Sequence, residues 1–160
     1  LRIGAGKRRR LRGLPLDRRR GTVYMLRDRT YPNYVKIGTT RRATRIRAAE
    51  VSRDMARGRP LAVVYAIDMP CARAVEKLAH RRLARRNRRT RRHLGREWFK
   101  VRGDSGVEKA IETIERSARD VRGLAKRRGK WPRRGDRMSR VWSRPDDVGR
   151  PSRYAPFTPS

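Results

Sequence analysis

The first half of the chain contains a phenol (Tyr24), an amine (Lys36), a guanidinium (Arg47), a carboxylate (Glu76) and an imidazole (His80). These are the group types that move protons, hold phosphate and bind metal ions. Their spacing adds to their chemistry. Glu76 and His80 stand at i and i+4, so on a helix they share one face, a turn apart. Tyr24 and Lys36 fall in two short apolar runs separated by a turn, so a hairpin would set them on strands about 5 Å apart. Each residue also has an ordinary reading. Tyr24 could be a half-buried strand tyrosine, Glu76 could pair with Arg73 on a solvated helix face, and His80 could pack below a sheet. Arg47 is one arginine among many, and Glu97 could pair with an arginine to fix Trp98-Phe99.

The elements that must position these groups are legible. Thr22-Val23-Tyr24-Met25-Leu26 and Tyr34-Val35-Lys36-Ile37-Gly38 are rich in β-branched and aromatic residues, and Asp28, Pro32 and Asn33 between them favour a turn. From Arg41 to Arg57 there is neither Pro nor Gly, and Ala48, Val51 and Met55 form a helical stripe. Leu61–Ile67 is a nearly continuous apolar run, as expected of a central strand buried on both faces. Val75, Leu78, Ala79 and Leu83 mark a second helix starting near Pro70. Ser105 and Glu108 have capping-box spacing ahead of a third stripe from Val107 to Val121.

These elements predict a small α/β domain, a three-stranded antiparallel sheet flanked by helices, over residues 21–122. A basic flexible arm (residues 1–20) and a basic, disordered Arg/Pro-rich tail (residues 123–160) are expected on either side. The arm includes Gly4-Ala5-Gly6-Lys7, which lacks the preceding strand and following hydroxyl of a phosphate loop. The tail's isolated Trp131, Trp142, Tyr154 and Phe157 are available in principle for stacking on unpaired bases.

Composition narrows the partner. Lys plus Arg number 47 against 15 acidic residues, giving a net charge of +32. Such a chain binds polyphosphate with strong salt dependence, so DNA or another nucleic acid is the expected partner. No apolar run is long enough for a membrane span, and the Arg-rich start is unlike a secretory signal. Cys71 is the only cysteine, which excludes an intrachain disulfide framework and fits a reducing, cytoplasmic setting. Cys71 itself is read as a buried or helix-start thiol without catalytic duty.

The motifs together resemble the GIY-YIG nuclease superfamily. Thr22-Val23-Tyr24 and Lys36-Ile37-Gly38 are similar to its paired strand motifs. In order follow Arg47, nine residues beyond Gly38, then Glu76-Lys77-Leu78-Ala79-His80 and Arg96-Glu97-Trp98-Phe99. The likeness is to a branch of small phage, bacterial and fungal proteins with Lys in the second motif, and covers about residues 21–101. Thr22-Val23 in place of Gly-Ile is a departure.

The resemblance implies a metal-dependent DNA endonuclease using Mg2+ or Mn2+. Tyr24 would be the general base or orient the attacking water, helped by positive charge from Lys36 and the metal. Arg47 would hold the scissile phosphate; Arg45, about 200° away on the helix, is its competitor. Glu76 would be the metal's single protein ligand, and His80 would take a direct part in the site. The alternatives are a non-catalytic nucleic-acid-binding module on the same fold, or a basic RNA-binding protein of the ribosomal kind. A monomer is the simplest expectation.

Overall fold

A computed structural model describes residues 11–54, 58–86, 98–132 and 139–142. Its sheet is antiparallel throughout and has strands β1 (Arg20–Asp28), β2 (Tyr34–Thr40), β3 (Leu61–Pro70), β4 (Trp98–Lys100) and β5 (Ser139–Trp142). The helices are α1 (Thr44–Asp54), α2 (Ala72–Arg86) and α3 (Gly103–Arg127). The strand order is β4-β2-β1-β3-β5.

The expected three strands are therefore the middle of a larger sheet. Trp98-Phe99-Lys100 pairs with the free edge of β2 through Tyr34, Val35 and Lys36. Residues 139–142 pair with β3 opposite Tyr65–Asp68. β1, rather than β3, is the centre. It pairs with β2 from Thr22 to Arg27 and with β3 along its whole length, with one irregularity between Met25 and Leu26. Strand alternation then sends Val23 and Met25 to one face and Tyr24 and Leu26 to the other. Both faces are buried. Val23, Met25, Val35, Ile37 and Phe99 pack under α2 and α3, and Tyr24, Leu26, Ala66 and Trp98 pack with Ala48 and Val51 of α1.

The hairpin turn is fixed by a buried acid. Asp28 Oδ1 accepts the amides of Thr30 and Tyr31 at 2.9 and 3.1 Å, and Oδ2 accepts Arg59 Nε at 2.7 Å. On the opposite side, α3 lays Val107, Ala110, Ile114, Ala118 and Val121 against the core, as its periodicity predicts. The capping box is not used. The helix begins at Gly103 behind Arg102, with no side-chain cap, and Asp104 of its first turn pairs with Arg27 at 2.7 Å.

The ends depart most from expectation. Leu11 and Leu14 are buried in the main core, so residues 11–20 form a strap across α2. Lys77 and Arg81 donate to the carbonyls of Gly13 and Arg12, and the Cys71 thiol donates to the Asp17 carbonyl at 2.8 Å. Leucines spaced three apart among arginines supply the anchoring area that a solvated arm would lack. Cys71 itself is buried at the β3–α2 junction, with φ of 59°. At the other end, α3 continues past Arg122 to Arg127, and Trp131 is buried beneath the Arg122 guanidinium. Trp131 is thus a core residue and presents no free ring to a base. Lys7, Met55, Glu97, Tyr154, Phe157, the Trp142 side chain and the basic run beyond Arg86 lie outside the described residues.

Candidate functional site

Tyr24 is the middle residue of the central strand, and its partner across the ladder is Gly38 of β2. The ring lies directly over that glycine. A Cβ on Gly38 would stand 2.5 Å from the Tyr24 hydroxyl oxygen and 2.7 Å from its ring carbon Cζ. Gly38 is the only residue type that leaves room for the phenol in this position. The ring itself is 1% exposed, within the cluster of Leu26, Ala48, Val51, Ala66 and Trp98.

α1 carries Arg47 to this hydroxyl. Ala48 and Val51 turn toward the sheet, which puts Arg47 beside Tyr24, while Arg45 points to solvent. Arg47 Nη1 donates to Glu50 Oε2 at 3.0 Å, one helical turn on. Glu50 Oε1 also accepts Arg42 Nη1 at 2.8 Å. The hydrogen bonds to Glu50 first, and to Tyr24 next, hold the Arg47 guanidinium above its ordinary value. The same bond from Arg47, followed by that from Arg42, holds the Glu50 carboxyl below the usual carboxylate range. Arg47 remains 38% exposed, so an incoming anion can reach its guanidinium. Lys36 lies on the same sheet face as Tyr24 and is buried, opposite Leu26 in the hairpin and Trp98 across the other edge.

Glu76 and His80 approach β2 from the other face. Glu76 Oε2 accepts the Thr39 hydroxyl at 2.8 Å. One turn later, His80 Nε2 meets the Ile37 carbonyl at 2.9 Å, and its ring sits edge-on to Phe99 with centroids 5.1 Å apart. A carbonyl only accepts, so the bond requires the proton on Nε2. Tyr24, Lys36 and Arg47 thus gather on the α1 side, and Glu76 and His80 on the α2 side. The last residues of β2 link the two groups. Sequence reasoning gave no role to Glu50 or Thr39. The Arg47-to-Glu50 spacing, i and i+3 on a helix, was the available signal for the first. The second stood beside Gly38 in Gly38-Thr39-Thr40.

Among the described residues, no group of three or more His, Cys, Asp or Glu could hold a metal ion. On the α2 side the site offers one partly buried carboxylate, Glu76, oriented by a hydroxyl. A hard oxygen donor of this kind suits Mg2+, which retains waters and takes further oxygens from a phosphate substrate. No helix among the described residues is long and apolar enough to cross a membrane.

Residues 21–118 match the family model described as the T5orf172 domain. The match covers well over half of the chain, which therefore belongs to that family. It corrects the assignment to the GIY-YIG superfamily: the matching family is a different one. That assignment rested on five short elements in order, of which the first departed from the pattern. Nuclease or DNA-binding function has been associated with the T5orf172 domain, and a nucleic-acid-related role for this chain is consistent with that. No curated protein and no solved structure gives a significant match.

Proposed function

We propose that this T5orf172-domain chain is a metal-dependent endonuclease that hydrolyses phosphodiester bonds of DNA. The observation that carries the reading is the Tyr24–Arg47 pair. A phenol is seated on a glycine and bonded by a guanidinium that stays 38% exposed. Phosphate is the natural ligand of such a fork.

An incoming phosphate would replace Glu50 as the partner of Arg47. Arg47 would then hold the phosphate oxygens, where its fixed charge offsets the charge that grows on them. Tyr24 would take a proton from the attacking water. The guanidinium beside the phenol and the Lys36 charge on the same face favour negative charge on its oxygen. The water oxygen bonds to phosphorus, the bond to the leaving sugar oxygen breaks, and that oxygen takes a proton from solvent. Glu76 would hold Mg2+ or Mn2+, which would supply charge neutralisation at the leaving oxygen. His80 acts as a positioning residue. Its bond to the Ile37 carbonyl fixes α2, and hence Glu76, against β2.

Purified protein is incubated with supercoiled plasmid, in Mg2+ or in EDTA, beside Glu76→Ala. Nicked or linear product that needs both Mg2+ and Glu76 supports the reading, and Mg2+-dependent cleavage by Glu76→Ala sinks the ligand assignment. The burial of Tyr24 favours a second reading, a binding module without catalysis. Gel retardation with no cleavage of plasmid or branched DNA would select it.

A further inference from the structure

An open cleft of about 400 Å³ lies beside the site, between the strap, the end of β2 and the start of α2. Four arginines from separate stretches converge on it: Arg19 and Arg20 entering β1, Arg41 leaving β2, and Arg73 opening α2. Among the described residues of the lining, Asp17 is the one carboxylate. Arg20 is tied down by Asp68, with Nη2 and Nε at 2.7 and 3.1 Å from Oδ2. Arg19, Arg41 and Arg73 are exposed and make no ion pair with a described carboxylate. Holding like charges together costs energy unless an anion joins them.

Gly21 forms part of the floor, where the lack of a side chain lets β2 and α2 close together: a Cβ there would stand 3.3 Å from both the Thr40 carbonyl and Ala72 Cβ. The cleft also joins the candidate site through a shared residue. Thr39 lines it, and the Thr39 hydroxyl is bonded to Glu76. An anion in the cleft is therefore a near neighbour of whatever Glu76 serves.

We infer that this cleft is a second phosphate subsite, gripping the backbone of the nucleic-acid strand beside the linkage presented to Glu76. The inference rests on the nucleic-acid reading of the site, but needs no hydrolysis. Nucleic acid is favoured over a free anion because the cleft shares Thr39 with the site through the Glu76 bond. Arginines spread over its wall suit a repeating polyanion.

The test uses the full chain in EDTA with a fluorescein-labelled DNA duplex, read by anisotropy across a salt series. The triple variant Arg19→Gln, Arg41→Gln, Arg73→Gln is compared with Arg116→Gln, Arg119→Gln, Arg128→Gln on exposed positions of α3 and its end. Both lose the same charge. With about 0.9 of salt slope per phosphate contact on duplex DNA, and one or two phosphates held, the cleft variant should lose roughly 1 to 2 units. The control should lose less than about one unit. A neutral methylphosphonate walked along one strand should weaken the parent at one or two linkages only, and leave the cleft variant unchanged at those linkages. Equal loss of slope in both triples, or a methylphosphonate effect that persists in the cleft variant, overturns the subsite. The two proposals separate cleanly. Plasmid uncut with Mg2+ but slope lost only in the cleft variant retains the subsite and removes the nuclease. Cleavage with equal slopes does the reverse.

Discussion

Gly38→Ala is the sharpest perturbation that the structure offers, because it adds one methyl group and aims it at the Tyr24 hydroxyl. Gly38 is not among the glycines with positive φ, so alanine meets no backbone penalty there. On conformational entropy alone the substitution would stabilise by about 0.4–1 kcal/mol. Sterics reverse the sign. The new Cβ would lie 2.5 Å from the phenol oxygen and 2.7 Å from Cζ. Ordinary non-bonded separations are about 3.5 Å, so the ring must retreat by about 1 Å. The ladder pairing of Gly38 with Tyr24 fixes both backbones, and the ring is enclosed by the α1-side cluster. Overpacking of this kind costs about 1–3 kcal/mol. A displacement near 1 Å also pulls the hydroxyl from Arg47, and misplacement on that scale lowers turnover by about 10²-fold. Urea denaturation reads the first effect, and single-turnover plasmid nicking at saturating protein reads the second. A Tyr24→Ala background supplies the control. With the ring gone the extra methyl should be neutral or stabilising, giving a coupling of about 1–3 kcal/mol. A Gly38→Ala protein as stable and as active as the parent, or a penalty undiminished beside Tyr24→Ala, would refute the reasoning.

Tyr24→Phe keeps the ring and removes only the hydroxyl, so it should retain DNA binding and lose nicking; unchanged turnover removes Tyr24 from the chemistry. Asp28→Ala strips two backbone amides and Arg59 of their acceptor in a fully buried position, and should cost about 3 kcal/mol or more in urea denaturation. Glu50→Gln removes a carboxylate whose folded value is depressed by Arg47. A depressed acid stabilises above its unfolded value, and that contribution disappears as pH falls through the folded value. Thermal midpoints of parent and variant should therefore differ at neutral pH and converge below the ordinary carboxylate range; a gap that persists in acid contradicts the assigned pair. Glu50→Gln should also bind DNA more tightly than the parent at low salt, since Arg47 no longer has to leave a carboxylate, and weaker binding in the salt titration would count against the proposed exchange.

The middle of the fold was legible because its signals are local. β-Branched runs around Asp28-Arg29 and the stripes at Ala48–Val51, Val75–Leu83 and Val107–Val121 each lie within one element. The less legible pieces are those that exist only through distant contacts. Trp98–Val101 reads in sequence as a short extended apolar return to the core, but its place as a strand depends on the free edge of β2. The strap is basic in composition, and its ordering depends on Leu11 and Leu14 reaching a core built mainly by later residues. The capping-box spacing at Ser105 and Glu108 was real in sequence, yet the helix started earlier. Asp104 pairs with Arg27 there, a partner 77 positions away.

The candidate site divides in the same way. Tyr24, Arg47 and Glu76 were nominated through the resemblance to the GIY-YIG motifs, since each alone has an ordinary reading, and it is the structure that sets Arg47 rather than Arg45 against the sheet. No sequence pattern shows that Gly38 is the seat of the Tyr24 ring, because that relation depends on the exact ladder register across a turn. A slip of one residue would set Tyr24 against Ile37 or Thr39 and turn one strand's side chains to the opposite face. The buried Asp28 therefore belongs to the site's construction, although it lies away from it. By closing the turn at Thr30 and Tyr31, it fixes which β2 residue lies under the phenol. A change that loosens that turn should reach the Tyr24–Arg47 pair through the register before it unfolds the protein. The sheet's hydrogen-bond pattern is thus part of the chemistry, as much as the groups that touch a phosphate.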